Sequence, residues 1–345
     1  MIAKGHVVHA SAPELTGDIA EQVRKLGAIP HDIALQRTGT GISGDIAYFR
    51  GLRDLIKDIK PDRVIGYTIK PNIWGSLAAK SCGVKSAAMV TGLGYAFIEG
   101  EGWKRRIVGT VSRTLYRMAT SANDVVIFQN PDDRDDFVAA GALSDPDKVR
   151  FVNGSGVDMA HYARAALPDG PVFLMIGRLL GSKGVREYAE AALRLKKQHP
   201  DWTFRIGGFF DGGPDSIAAD ELDSWINGGI EYLGELKDVR PAISAASVYV
   251  LPSYREGTPR SVLEAMAMGR AIVTTDAPGC RETVRHADNG YLVPVRNVDQ
   301  LAEAMEKLGL DADLRAEMGA RSFAIAQDKY AVERVNATLM QHLGL

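Results

Sequence analysis

The sequence predicts an α/β protein of two doubly wound units, and three observations carry that prediction. Short apolar runs of four to seven residues alternate with longer stretches of helical period, the pattern of parallel strands joined by crossover helices. The alternation occurs on both sides of a segment dense in turn formers, Val152-Asn153-Gly154-Ser155-Gly156-Val157-Asp158, continued at Pro168-Asp169-Gly170-Pro171. The 345 residues, 46% hydrophobic and 24% charged, suffice for two cores of roughly 150 residues each and exclude disorder.

In the first half strands are expected at 7–10, 30–35, 63–67, 86–90 and 124–128, with helices such as 46–59 between them. The second half repeats the scheme with strands at 172–176, 203–207, 230–233, 248–251 and 271–274. A last helical pattern, 331–343, has no strand after it and must pack onto something already built. The domains are accordingly drawn at 1–160 and 161–325, with 326–345 packing back across them. The opening departs from the scheme. A doubly wound unit starts with a buried strand, a glycine-bearing turn and a helix, whereas Lys4-Gly5-His6-Val7-Val8-His9-Ala10 reads as a second strand. A first strand and its loop are therefore expected to be absent; the other reading makes 7–10 the first strand of a small unit, although Ser11-Ala12-Pro13-Glu14-Leu15 carries no phosphate-type glycine pattern.

A formal net charge of −2 supplies no field of the kind that draws a protein to nucleic acid. Cys82 and Cys280 match neither a disulfide framework nor clustered zinc spacing and point to a reducing compartment. No run of eighteen apolar residues occurs, and Met1-Ile2-Ala3-Lys4-Gly5-His6 lacks the apolar stretch of a signal peptide, so a cytoplasmic protein is expected. The histidines are scattered, and the Asp-x-Asp triplets starting at Asp133, Asp145 and Asp311 read as helix starts or turns; a site without metal is expected. Residues 103–118, with Trp103, Lys104, Arg105, Arg106, Arg113 and Arg117, have roughly helical period. They suit peripheral contact with anionic lipid at the inner face of a membrane, or form a core-facing helix with a solvated basic side.

The chemistry concentrates in two turns. After the strand expected at 248–251 comes Pro252-Ser253-Tyr254-Arg255-Glu256-Gly257-Thr258-Pro259-Arg260-Ser261-Val262-Leu263-Glu264. Thr258 reads as a helix N-cap, Pro259 as the first helical residue and Gly269 as the terminator. The amides of Gly257, Thr258 and the residues just after Pro259 would then face out of a helix start at the carboxyl end of a parallel strand, where dipole and unsatisfied donors favour a diphosphate. Glu256 and Glu264 frame that start; the pair suits sugar hydroxyls on one side of a phosphate and a ribose on the other, and standing alone it would read as well as a solvated acidic turn. The strand at 172–176 leads into Gly177-Arg178-Leu179-Leu180-Gly181-Ser182-Lys183-Gly184, which brings two cations to a second glycine-rich turn, as a departing diphosphate needs. Two such turns on one sheet edge favour the ligand reading. Gly207-Gly208-Phe209-Phe210-Asp211-Gly212-Gly213-Pro214 lacks dinucleotide-loop spacing and reads as a long strand-to-helix turn.

The stretch from Glu256 to Glu264 resembles the Glu-x7-Glu motif of retaining nucleotide-sugar glycosyltransferases of the family-four group, and the likeness covers nearly the whole chain. Tyr67-Thr68-Ile69-Lys70-Pro71-Asn72-Ile73-Trp74-Gly75, Gly92-Leu93-Gly94-Tyr95-Ala96-Phe97, Phe128-Gln129-Asn130-Pro131-Asp132-Asp133 and Ala277-Pro278-Gly279-Cys280-Arg281-Glu282-Thr283 resemble the subgroup that extends lipid-linked oligosaccharides with N-acetylhexosamines. The resemblance implies a GT-B fold, two Rossmann-like domains facing a cleft, the acceptor on the first and the donor on the second. It also implies a UDP-sugar donor, of UDP-N-acetylhexosamine type, a lipid-linked or polysaccharide acceptor, retention of configuration and no cofactor. Residue by residue, Arg178 and Lys183 would bind the diphosphate, Glu256 the transferred sugar, Glu264 the ribose hydroxyls, and Gly257, Thr258 and Pro259 the phosphate or sugar. The base would lie against the backbone at Leu233, and Lys70 and Asn72 would meet substrate from the first domain. A non-hydrolysing UDP-sugar 2-epimerase, which needs acid and base groups in its cleft, and a donor-binding remnant without its opening strand are the other classes left open.

Overall fold

A computed structural model describes residues 1–35, 42–93 and 103–345, the side chains of 42–43 and 103–108 excepted. The chain divides into two units, Met1–Phe151 with Leu339–Leu345, and Val152–Thr338. The division falls ahead of residue 160 because the linking segment is tied to the second unit: the Val157 amide donates to Tyr330 O at 2.8 Å, and Val157 O accepts from Val332 at 3.0 Å. The segment expected at 326–345 is shared, since His342 of its last helix lies 3.1 Å from Phe151 O.

The first unit runs β1 (His9–Ala12), α1 (Gly17–Lys25), β2 (Ile29–Asp32), α2 (Ile42–Ile59), β3 (Arg63–Tyr67), α3 (Ser76–Ser81), β4 (Lys85–Val90), α4 (Trp103–Ala122), β5 (Val125–Phe128), α5 (Pro131–Ala139) and β6 (Val149–Phe151). All its strand pairs are parallel, but they form two sheets, β1-β2 and β3-β4-β5-β6. The doubly wound order 3-2-1-4-5-6 places a first strand between these flanks. Among the described residues no strand pairs with both β1 and β3. The expected first two strands shift, from 7–10 to His9–Ala12 and from 30–35 to Ile29–Asp32. Each carries too few apolar side chains to bury two faces, and both lie largely at the surface.

The second unit runs β7 (Val172–Ile176), α6 (Val185–Gln198), β8 (Thr203–Gly207), α7 (Ala219–Asn227), β9 (Glu231–Tyr232), α8 (Arg240–Ser244), β10 (Val248–Leu251), α9 (Arg260–Ala267), β11 (Ala271–Thr275), β12 (Gly290–Val293), α10 (Val298–Leu310) and α11 (Ala312–Ile325), before α12 (Val332–Leu343). Its strands form one parallel sheet in the order β12-β11-β10-β7-β8-β9. The chain therefore builds outward from β7 through β8 to β9, then returns to β10 on the other side of β7 and builds outward again. β10 and β11 are wholly buried, as Val-Tyr-Val-Leu and Ala-Ile-Val-Thr-Thr require when helices cover both faces. α6 turns Tyr188, Ala189, Ala191, Ala192 and Leu195 to the sheet at helical spacing, and Tyr188 Oη donates to Phe173 O at 3.0 Å. No helix among the described residues is long and apolar enough to cross a membrane.

Candidate functional site

In open parallel sheets the crevice outside the carboxyl ends of the strands opens where the strand order reverses, and here that point lies between β7 and β10, which pair directly. Both turns singled out from the sequence follow these two strands. They are bonded to each other: the Tyr254 amide donates to Ser182 O at 2.9 Å. Gly184 sits at φ +72°, and a Cβ there would lie 2.1 Å from Pro252 O, so the approach of the two turns needs a glycine. A third turn supports them from below. Glu256 N donates to Pro278 O at 2.9 Å, and Gly279, at φ +75°, packs against the carbonyls of Glu256 and Gly257.

Across this junction Lys183 Nζ meets Glu256 Oε1 at 2.5 Å, and Ser253 Oγ donates to the same oxygen at 2.8 Å. Their side chains are 20% and 14% exposed, so the pair is partly shielded yet open to a ligand. Arg178 stands farther out and pairs with Asp211 at 2.7 Å, a residue of the turn after β8. That turn is fixed at its base, where Leu179 N donates to Phe209 O and Ser182 N to Asp215 Oδ2. Asp211, Asp215 and Ser253 were not singled out from the sequence; only Ser253, three residues before Glu256, offered a local signal.

The helix start differs from expectation by one residue. Pro259 is the N-cap of α9, Arg260 its first residue, and Thr258 Oγ1 makes no cap bond. The Thr258 side chain packs on Gly154, whose absent Cβ would come within 2.8 Å of it. Val262 is the first helical amide bonded backward, to Pro259 O at 3.1 Å, which leaves the opening of α9 to the amides of Arg260 and Ser261. Gly269, at φ +81°, follows its last turn as expected.

Glu264 lies one turn into α9 with a side chain only 9% exposed. Its Oε1 accepts from Tyr162 Oη at 2.9 Å and from Arg260 Nε at 3.2 Å. Burial pushes its carboxyl above the ordinary carboxylate range, and the Tyr162 hydrogen bond and Arg260 pull the other way. Burial, and next the Glu264 charge, push the Tyr162 phenol up to about 12. Beneath them Tyr249 of β10 is fully buried, its Oη donating to Ile176 O at 3.0 Å, and that burial raises its phenol. Cys280 is buried beside Ser253 O, with its thiol pushed up to about 12 by desolvation, so it is no thiolate nucleophile at neutral pH.

Other sequence-chosen residues have structural partners. The Leu233 amide donates to Ile206 O at 2.8 Å and Gly234 O accepts from Gly208 N at 2.8 Å, so these two groups are engaged at the sheet edge. Asn72 is wholly buried in the first unit, its Nδ2 donating to Met89 O at 2.9 Å; a side chain without exposed surface cannot meet substrate there. Lys70 pairs with Asp45 at 2.9 Å. Residues 94–97 of the motif at 92–97, and the side chains of Trp103, Lys104, Arg105 and Arg106, lie outside the described residues. Of the remaining basic segment, Arg117 donates to Gly141 O and Leu143 O, whereas Val111 and Met118 are half exposed. The Asp145 and Asp311 carboxylates accept from Asp147 N and Leu314 N as turn and helix caps.

Two parallel α/β units, one with cations, carboxylates and a helix start gathered at its switch point, define the class of nucleotide-binding α/β enzymes. Comparison with known proteins narrows it. Residues 170–311 match the family model described as glycosyl transferases group 1, and residues 5–130 the one described as glycosyl transferase 4-like. The chain is 30% identical over 282 residues to N,N'-diacetylbacillosaminyl-diphospho-undecaprenol alpha-1,3-N-acetylgalactosaminyltransferase of Campylobacter jejuni, covering 77% of this chain and 73% of that one. It is 27% identical over 279 residues to UDP-Gal:alpha-D-GlcNAc-diphosphoundecaprenol alpha-1,3-galactosyltransferase of Escherichia coli, covering 76% and 70%. Its fold is shared with Anabaena HepE in complex with UDP, at a TM-score of 0.78 and 18% identity over 97% of this chain and 91% of that one. The chain belongs to the family-four group of glycosyltransferases and has their GT-B fold.

Proposed function

We propose that this glycosyltransferase moves an N-acetylhexosamine from a UDP-sugar to a lipid-linked saccharide, with retention of configuration and without a metal, in the assembly of a surface polysaccharide or glycoprotein. The observation that carries the reading is the Lys183–Glu256 contact at the switch point, between the turns that follow β7 and β10. The donor diphosphate lies at the opening of α9 with Lys183 and Arg178 as its cations, Arg178 exchanging Asp211 for phosphate. Glu256 accepts hydrogen bonds from the transferred sugar and Glu264 from the ribose. The acceptor hydroxyl attacks the anomeric carbon from the face on which the diphosphate leaves, the carbon–oxygen bond to phosphate breaks, and the acceptor proton passes to the departing phosphate oxygen. Lys183 and the helix amides stabilise the charge that develops there.

The relatives from Campylobacter jejuni and Escherichia coli are named for undecaprenol-diphosphate-linked acceptors, which supports an acceptor of that kind. Such work belongs at the cytoplasmic face of a membrane, and the half-exposed Val111 and Met118 of α4 suit peripheral contact with it. Steady-state kinetics with UDP-N-acetylhexosamine and a polyprenyl-diphosphate-linked saccharide test the site. Lys183→Ala should lower kcat by about a hundredfold or more. A change below about threefold would reject the donor site, and an inverted anomeric centre in the product, read by its proton coupling, would reject retention.

A further inference from the structure

Resting on the reading that Glu264 receives the ribose, we propose that Tyr162 is a positioning residue that sets the donor site's preference for a ribonucleotide over a deoxyribonucleotide. Its hydroxyl reaches Glu264 Oε1 at 2.9 Å across 102 residues of sequence, and Arg260 Nε reaches the same oxygen at 3.2 Å. Both bonds land on Oε1, so Oε2 is the oxygen that turns to a ligand. The last torsion of a glutamate side chain is broad, and anchoring one oxygen fixes the direction of the other. Arg260 is a weak anchor: it is 73% exposed and pairs one turn along its own helix, where solvent competes.

Tyr162 is the firm one. Its ring packs against the core of the second unit, and its backbone is set by Asp158, whose Oδ1 accepts from Ala160 N and His161 N at 2.9 Å and whose carbonyl accepts from Tyr162 N at 2.9 Å. The turn thus fixes the phenol, the phenol fixes Oε1, and Oε2 is held for a pair of vicinal hydroxyls. A site built to accept hydrogen bonds from hydroxyls rejects a ligand that lacks one, because the buried carboxylate is left short of a donor.

The test is titration of UDP and 2′-deoxy-UDP into the protein, Tyr162→Phe and Glu264→Ala, with donor kinetics alongside. Tyr162→Phe keeps the ring and removes only the hydroxyl. It should weaken UDP by about three- to tenfold, leave 2′-deoxy-UDP within about twofold, and raise donor KM while kcat holds. Equal weakening of both nucleotides, or no weakening of either, overturns the proposal. Glu264→Ala separates the two levels. If it abolishes the preference for UDP while Tyr162→Phe does not, Tyr162 alone is misassigned; if it leaves the preference intact, the ribose assignment of Glu264 falls, and this proposal with it.

Discussion

Among the described residues each unit has six strands, yet those of the second form one sheet and those of the first fall into a pair and a quartet. The second unit's apolar runs, Val-Phe-Leu-Met-Ile in β7 and Val-Tyr-Val-Leu in β10, are buried on both faces, and one core extends from Val157 to Tyr330. In the first unit β1 reads His-Ala-Ser-Ala and β2 Ile-Pro-His-Asp, and nearby Val7 and Leu26 are each 75% exposed. Its cores are local clusters, one around Tyr116, Phe128 and Phe137, another around Tyr48, Leu52 and Ile56. The difference teaches that two units with the same strand count and the same parallel pairing hold together by different means. The second is a continuous layer with its chemistry at the centre, while in the first β1-β2 is a sheet apart from the quartet, with α1 packed on β2 and Ile33 set beside Gly51 of α2. A two-stranded sheet has little stability of its own.

Amide exchange is the sharpest way to break that comparison. The amides of β2 that bond to β1 should exchange at least about a thousandfold faster than those of β11 that bond to β10, since the first open by local unfolding and the second by global unfolding. Comparable protection would mean that β1-β2 is part of one cooperative core after all. A pair of glycines gives the next largest effect. Gly83 of the first unit and Gly184 of the second have nearly the same φ, +71° and +72°, but an added Cβ at Gly83 meets nothing within 4 Å, whereas at Gly184 it would meet Pro252 O at 2.1 Å. Gly83→Ala should lower unfolding free energy by about 1 kcal/mol of backbone strain, and Gly184→Ala by about 3 kcal/mol or more, in urea titrations. Equal losses would show that the turns after β7 and β10 yield to each other easily, and that the site is less rigidly joined to its sheet than their hydrogen bond implies.

What could be read in the sequence follows the same line. β3, β7, β8 and β10 have the bounds expected of them; for β7 and β10 the reason is that strands buried on two faces leave continuous apolar runs. β6 and β12 were missed, one being Val-Arg-Phe at a sheet edge and the other a short run behind a turn; Gly290 of β12 is required because a Cβ would lie 1.9 Å from Ile272 O, which no local pattern announces. In the site, Arg178, Lys183 and Glu256 were legible as strings at strand ends. Their partners were not: Asp211 stands 33 residues from Arg178 and Tyr162 stands 102 from Glu264. Thr258 failed as a cap for the same reason, its side chain being held by Gly154 of the linking segment. Asn72 looked like a polar residue in a motif, and burial made it a ladder for Met89 O.

The smallest effect concerns charge. The first unit buries Asn72, Asn123, Ser76 and Ser86 in a neutral network, where Asn123 Nδ2 donates to Ser76 Oγ and Ser86 Oγ, and apart from it the Asp133 carboxylate, which accepts from Asn130 Nδ2 at 2.9 Å. The second unit buries a carboxylate at Glu264, faced by Tyr162, His161, Arg260 and Tyr249. Its carboxyl is raised in the folded state, so folding favours the protonated form: the contribution is fully present below the unfolded pKa and is lost as pH rises through the folded one. Glu264→Gln does not titrate, so its stability relative to the parent should grow between about pH 4 and pH 7, while donor KM rises. The check is the difference in urea midpoint between variant and parent at the two pH values. A difference that shrinks instead would mean that Tyr162 and Arg260 more than offset desolvation, and that this carboxylate is held charged by its neighbours before any ligand arrives.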